Sequence, residues 1–224
     1  MEVSKNINPK TSKMPDSVVI KRVLGGEKEL FEILLRRYNQ TLFRALRSYI
    51  KRDTDVEDIM QDTYLKCYEK LNTFKGKSAF STWLIRIGIN EALQRIRKTK
   101  KIPQIDNNEA EEELVNLLPS EDQVFINPDN DINNSEMRMH IEKAIDKLPE
   151  KYRVVFILRE VEGLSNSEVA DCLDITGNNV KIRLHRAKNL LKETLYKMTP
   201  REKILEFGNS RCDKVVDYVM KRIK

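Results

Sequence analysis

The stretch "GLSNSEVADCLDITGNNVKIRLHRAKNLLKE", residues 163–193, decides the architecture. Ser165 and Glu168 stand at capping-box spacing, and a short helix follows to Asp174 with Val169, Ala170 and Leu173 facing inward. "DITGNN" then turns the chain, with Gly177 expected to supply the backbone freedom of a tight turn. In the next helix Val180, Leu184, Ala187 and Leu191 recur at core spacing. Opposite them project Asn178, Ile182, His185, Arg186 and Asn189, flanked by Lys181 and Lys188. Like charges at helical spacing repel, so Lys181, Arg183, Arg186, Lys188 and Lys192 on one helix need a solvated face or a polyanion. The combination reads as a helix-turn-helix whose second helix enters a DNA major groove, Ala170 being small enough for the close crossing. The competing reading is a chance helix pair with a charged outer face. Arg186 suits a bidentate contact to guanine, Asn178 or Asn189 an adenine, and Lys181 and Lys188 the phosphates. Ile182, odd on a wet face, is expected to meet a thymine methyl.

Immediately upstream, 139–148 and 151–161 read as two helices broken at "LPEKYR", with Leu148, Val154, Val155, Ile157 and Leu158 as core. A helical C-terminal block therefore spans 138–196. Between Ile102 and Met137 there is no Lys or Arg, while ten acids accumulate, from Asp106 to Glu136. With Pro119 and Pro128 and several asparagines, 102–137 has the composition of an extended, self-repelling linker. It separates the C-terminal block from a helical N-terminal block, 16–101. Residues 1–15 are read as disordered. A tail, 197–224, holds Val215, Val216, Val219, Met220 and Ile223 at amphipathic-helix spacing and is expected to pack onto the C-terminal block. A regulator contact, or redox sensing through Cys212, is the weaker alternative for that tail.

In the N-terminal block, 27–50 carries Leu30, Ile33, Leu34, Tyr38, Leu42, Ala45 and Tyr49 at helical period. A second helix opens at "TDVE", where Thr54 and Glu57 have capping-box spacing. Val56, Met60, Thr63, Cys67 and Leu71 form its apolar face; Asp55, Asp58, Asp62 and Glu69 form another about a third of a turn away. A calcium loop is excluded because its sixth position, which must be glycine, is Asp58. From the residues alone, a solvated acidic face outweighs a protein-docking one.

"FKGKSAFSTWLIRIGINEALQRIRKTKK", 74–101, opens with a Phe74–Phe80 loop, after which Ser81 or Thr82 is placed to cap a helix. Ile85, Ile89, Ala92 and Ile96 should be buried. Trp83, Arg86, Asn90, Gln94, Arg97 and Lys101 fall on a separate stripe within about 80° on the helical wheel. Trp with Arg and Asn suits an unpaired nucleic-acid strand, the ring stacking on a base while guanidiniums hold phosphates. The equal alternative is that Trp83 folds back at the helix start and packs as core.

Composition narrows the classes. The 224 residues are 40% hydrophobic and 34% charged, with net charge +6, only seven glycines and no apolar run of membrane-spanning length. No signal-peptide core precedes the first block, so a cytoplasmic protein without membrane insertion is expected. Cys67, Cys172 and Cys212 lie far apart, implying neither a zinc site nor a disulfide framework. No nucleophile–base pair, phosphate-cradling loop or metal spacing appears, and His140 and His185 sit in different helices. Neither an enzyme nor a cofactor is expected. A dimeric operator-binding regulator would need a dimer-forming heptad, and none is visible.

Taken together, the two blocks resemble the extracytoplasmic-function (group IV) sigma factors of bacterial RNA polymerase. "DVEDIMQDTYLKCYEKLNTFKGKSAFSTWLIRIGINEALQRIRK" is similar to their second conserved region, and "LPEKYRVVFILREVEGLSNSEVADCLDITGNNVKIRLHRAKNLL" to their fourth. The likeness covers about 16–195 and implies an all-α fold of two small helical domains joined by the acidic linker. It implies core polymerase and promoter DNA as partners, with an anti-sigma factor as a possible third. By resemblance, Asp55, Asp58, Gln61 and Asp62 dock on the polymerase clamp, which displaces the solvated-face reading. Phe74, Lys75, Lys77, Ser78, Phe80, Ser81, Thr82, Trp83, Arg86, Asn90 and Arg97 would capture and open the −10 element. Asn178, Asn179, Lys181, Ile182, Arg183, His185, Arg186, Lys188 and Asn189 would read the −35 duplex. The linker would thread the polymerase cleft. The family often has a small polar residue where Ile182 stands, so the upstream element read here is expected to differ.

Overall fold

A computed structural model describes residues 14–100, 134–198 and 209–223. The disordered terminus and most of the acidic linker expected from the sequence lie outside these residues, as does the first part of the tail. The described residues form helices α1 (Asp16–Leu24), α2 (Phe31–Arg47), α3 (Asp53–Glu69), α4 (Phe80–Lys100), α5 (Asn134–Lys147), α6 (Glu150–Phe156), α7 (Asn166–Leu173), α8 (Gly177–Met198) and α9 (Asn209–Met220). Single 3₁₀ turns precede α2 and follow α3, and α6 runs on into a π-helical turn at Ile157–Val161. The fold is all-α, as the periodicities imply.

α2, α3 and α4 pack against one another, with α1 across α2, around Leu34, Leu42, Leu46, Val56, Ile59 and Leu84. Gly88 sits at the closest crossing: a Cβ there would lie 2.8 Å from Leu42 Cδ1 and 3.4 Å from Thr63 Cγ2. Burying Leu42, Leu46, Ile59 and Leu84 almost completely is worth roughly 1.5–3 kcal/mol each before ordering costs. Polar ties add alignment: Lys66 on α3 pairs with Glu91 on α4, and Asp16 on α1 meets both Arg37 and Tyr38 on α2.

Several local readings need correction. The helix expected over 27–50 starts only at Phe31, after a 3₁₀ turn. The Thr54–Glu57 capping box does not form, because α3 already begins at Asp53 with Arg52 as N-cap. Ser81 and Thr82 lie inside α4 and do not cap it. Gly177 is the first residue of α8, and the turn is made three residues earlier by Asp174, whose φ of 55° is left-handed. An aspartate tolerates that region better than most side chains. The described part of the tail is helical, but residues 213–223 are exposed, so it does not pack onto the C-terminal block.

The two blocks are not independent. α7 packs on α4, and one apolar cluster joins Ala45, Ile85 and Ile89 of the N-terminal block to Val155, Leu158, Val169 and Cys172 of the C-terminal block. Ile85 and Ile89 are buried as expected, but it is the other block that buries them. Ile96, expected inside, is half-buried.

Candidate nucleic-acid interface

The helix-turn-helix is built locally. Ser165 Oγ accepts the Glu168 N–H at 3.2 Å and the Glu168 carboxylate accepts the Ser165 N–H at 2.8 Å, closing the capping box read from the sequence. The Ser165 N–H, then the Ser165 and Thr82 hydroxyls, donate to the Glu168 carboxylate and hold its carboxyl below the ordinary range. α7 ends at Asp174, where the N–H groups of Asp174 and Ile175 both return to the Ala170 carbonyl. Val180, Leu184, Ala187 and Leu191 on α8 are buried, as their spacing requires. Asn178, Lys181 and Asn189 are exposed; His185, Arg186 and Lys188 are half-buried. Asn189 bonds His185 at 3.0 Å, Arg186 donates to Tyr152 Oη at 3.2 Å, and Lys188 pairs with Glu160.

Three members of this set stand differently from expectation. Ile182 is 1% exposed, Asn179 2% and Arg183 5%. Ile182 is therefore not an apolar residue on a wet face, and its burial accounts for an isoleucine there without a thymine methyl. Asn179 has no hydrogen-bond partner for its Oδ1.

On the N-terminal block an aromatic cluster forms the threshold of α4. Phe74 packs on Phe80 (ring centroids 5.6 Å) and on Trp83 (5.2 Å), and Tyr38 packs on Phe80 (5.5 Å). Phe80 belongs to the core at 3% exposure, while Phe74 and Trp83 are half-buried. Trp83 packs on Phe74 and Phe80 at the helix start, as the packing alternative expected, and is half-buried. Lys75, Lys77, Arg86, Asn90, Gln94 and Arg97 are exposed, Ser78 and Ser81 half-buried, and Thr82 buried. Lys101, assigned to the same stripe, lies outside the described residues. The half-buried ring with exposed cations has the form of a single-strand platform.

On α3, Asp58, Gln61 and Asp62 are exposed and Asp55 is half-buried, with Arg52 paired to Asp55 and Arg95 to Asp58. Leu65 stands 64% exposed on the same face by helical arithmetic, and Tyr68 lies beside it. Sequence reading overlooked Leu65; an apolar residue falling in step with Asp58 and Asp62 was the available signal.

The elements linking the blocks were also overlooked. The Arg153 guanidinium, 5% exposed, donates to the Ser48 carbonyl at 2.7 Å. Arg44 pairs with Glu162 at 2.9 Å, and Arg47 with Asp146 at 3.2 Å. Thr82 Oγ1 donates to Glu168 at 3.2 Å, and Cys172 Sγ lies 3.5 Å from the Thr82 carbonyl oxygen. Burial pushes the Cys172 thiol up to about 12. Among the described residues no group of three His, Cys, Asp or Glu side chains is arranged to hold a metal, and no helix is long and apolar enough to cross a membrane.

Known proteins carry the same pattern. Residues 34–102 match Sigma-70 region 2 and residues 138–191 match Sigma-70, region 4. The chain is 31% identical over 182 residues to the ECF RNA polymerase sigma-E factor of Escherichia coli K12, covering 81% of this chain and 94% of that protein. It is 29% identical to the protein of that name from Haemophilus influenzae, covering 81% and 96%. Among solved structures, CnrH in complex with the cytosolic domain of CnrY is similar in fold, with a TM-score of 0.57 and 23% identity over 82% of this chain and 99% of that one. The sigma factor RpoE from Bartonella quintana, in complex with the anti-sigma factor NepR, gives a TM-score of 0.56 and 25% identity over 74% and 96%. Two region matches in order, and a relative of this identity matched over nearly its whole length, show that the chain belongs to the extracytoplasmic-function sigma factors of the sigma-70 family.

Proposed function

We propose that this chain is a promoter-specificity subunit that joins core RNA polymerase in the cytoplasm, reads a −35 element as duplex, and opens and holds a −10 element as single strand. The observation that carries this reading is the coexistence of two chemically different nucleic-acid faces. One is a cationic helix in a helix-turn-helix; the other is a half-buried Trp83 near the start of α4, with exposed Lys75 and Lys77 in the loop before it and exposed Arg86 and Asn90 further along the same helix. A duplex-only regulator has no use for the second.

The exposed Asp58, Gln61 and Asp62 on α3 are the proposed polymerase contact, with Leu65 as an apolar centre. On α8, Lys181 and Lys188 take phosphates and Arg186, Asn178 and Asn189 take base edges. Asn179, Ile182, Arg183 and Thr82 are covered, and Phe80 lies in the aromatic cluster of its own block, so contacts proposed for these side chains require them to be uncovered. Melting without a nucleotide cofactor must offset about 1.4 kcal/mol per base-pair step. Stacking supplies about 1–3 kcal/mol per base. A few bases stacked on Trp83 and its neighbours are of that size, while Arg86, Asn90 and Arg97 keep the strand from re-pairing.

The 102–137 segment would run through the polymerase cleft, and an anti-sigma factor would restrain the chain until a stress or signal releases it. The test is transcription in vitro with purified bacterial core polymerase. Core plus this chain yields transcripts from specific start points that neither yields alone; absence of association with core would overturn the reading.

A further inference from the structure

Two cations of α8 are held from the same neighbouring segment, α6 and its π-helical turn, by partners of different chemistry. Lys188 pairs with the Glu160 carboxylate at 3.2 Å. Arg186 instead donates from its guanidinium to the Tyr152 hydroxyl at 3.2 Å. The difference matters where a polyanion is to be met. A carboxylate competes with phosphate for the lysine, whereas a neutral phenol oxygen gives the arginine a direction without cancelling its charge.

Tyr152 is a firm post for that purpose. Its half-buried ring packs against the apolar cluster of the C-terminal block, and Lys151 Nζ lies 5.0 Å from the ring centroid. Its N–H donates to the Pro149 carbonyl at 3.0 Å. The next residue is the buried Arg153, whose guanidinium holds the Ser48, Asp146 and Leu148 carbonyls. On the other side of the bond, Ala187 beside Arg186 is fully buried. Both backbones are thus fixed, and the hydroxyl narrows the freedom left to a long, half-buried side chain. A guanidinium has more N–H donors than a bidentate base contact uses, so the bond to Tyr152 is compatible with reading guanine. We infer that Tyr152 is a positioning residue of the duplex-reading helix: it aims Arg186 and so sets the base preference at the one step Arg186 reads. This rests on the duplex reading of α8 proposed above.

The experiment uses the full chain bound to bacterial core polymerase and offered linear duplexes randomised over about four helical turns, the retained sequences being counted. The wild type defines the upstream element, and Arg186→Ala marks the step that Arg186 reads as the one whose preference is lost. Tyr152→Phe keeps the ring and removes the hydroxyl alone. It should weaken discrimination at that step on the order of fivefold, leaving the other steps and the salt dependence of binding unchanged. Added to Arg186→Ala it should change nothing further, because Tyr152 acts through the arginine. An unaltered Tyr152→Phe profile overturns the inference. So does an equal loss at every step, which a merely structural hydroxyl would give, and so does tighter binding, which would make the bond a restraint. A further change on top of Arg186→Ala overturns it by placing the phenol itself on DNA, and an Arg186→Ala chain with every preference intact overturns it as well. A wild-type complex that retains no upstream element sinks the duplex reading of α8 and this inference with it; a sharp wild-type element shared by Tyr152→Phe sinks the inference alone.

Discussion

Arg153 Nε donates to the Ser48 carbonyl oxygen at 2.7 Å, joining residues 105 positions apart. The same guanidinium donates to the Asp146 and Leu148 carbonyls at 3.0 and 3.3 Å. Ser48 closes α2 and Leu148 follows α5, so two helix C-termini, each with orphan carbonyls and the negative end of its dipole, converge on one buried cation. Arg153→Met keeps the length and apolar stem but leaves those carbonyls without donors. A loss of about 2–4 kcal/mol is expected. In a chain of this size that is a fall of roughly 5–15 °C in thermal midpoint by circular dichroism. A drop of a degree or less would show that the guanidinium is not what holds the helix ends.

Gly88→Ala sets two effects against each other. Alanine favours a helix interior over glycine by about 1 kcal/mol. The new Cβ would meet Leu42 Cδ1 at 2.8 Å and Leu46 Cδ2 at 3.3 Å, and both leucines are fully buried and unable to swing away. Overpacking of this kind costs about 1–3 kcal/mol, so net destabilisation of up to about 2 kcal/mol is expected in urea unfolding. Net stabilisation would mean that α2 and α4 can move apart freely.

Glu168 makes stability depend on acid. Its carboxyl lies below the ordinary value because the Ser165 N–H, the Ser165 hydroxyl and the Thr82 hydroxyl favour the charged form. A carboxylate depressed on folding contributes stability that is fully present above its unfolded value and is lost as pH falls through the folded one. Glu168→Gln retains the capping-box geometry without the charge. The wild-type chain should be the more stable at pH 7, and the difference should vanish toward pH 3 in parallel melts. A difference independent of pH would assign the effect to packing.

Trp83→Ala removes the half-exposed ring from the threshold of α4 while Phe74 and Phe80 remain packed together. Promoter opening, followed by permanganate reactivity of unpaired thymines in the presence of core polymerase, should fall about tenfold or more, because one stacked base is worth about 1–3 kcal/mol. Closed-complex formation should change little. Equal loss of both would place Trp83 in structure and not in strand capture.

Asp58→Lys with Asp62→Lys reverses charge on an exposed face. Affinity for core polymerase should drop at least tenfold, with unchanged helicity and a weaker salt dependence. Leu65→Ser should weaken association without altering salt dependence, since it removes apolar contact only. Undiminished binding by both variants would move the docking surface elsewhere.

Several features were legible because their causes are local. The Ser165–Glu168 capping box, the buried stripe of Val180, Leu184, Ala187 and Leu191, and the exposed stripe of Arg86, Asn90, Gln94 and Arg97 each follow from spacing along one helix. Other local readings failed through competition between neighbours. Thr54 lost its cap to a helix that begins one residue earlier, and Gly177 yielded the turn to Asp174 because α8 starts at the glycine. Trp83 packs on Phe74 and Phe80, which helical position alone did not decide.

The sequence by itself determined an all-α chain of two helical blocks, one carrying a helix-turn-helix and the other an aromatic and cationic helix. Periodicity and capping are properties of residues three or four apart, and they survive whatever the rest of the chain does. Only the tertiary structure decided that Ile85 and Ile89 are sealed by the opposite block, that Arg153 gathers two helix ends, and that Ile182, Asn179 and Arg183 are covered. Those outcomes depend on contacts between residues far apart in the chain, more than a hundred positions in the case of Arg153 and Ser48, and an apolar stripe on a helix states that it must be buried without stating against what.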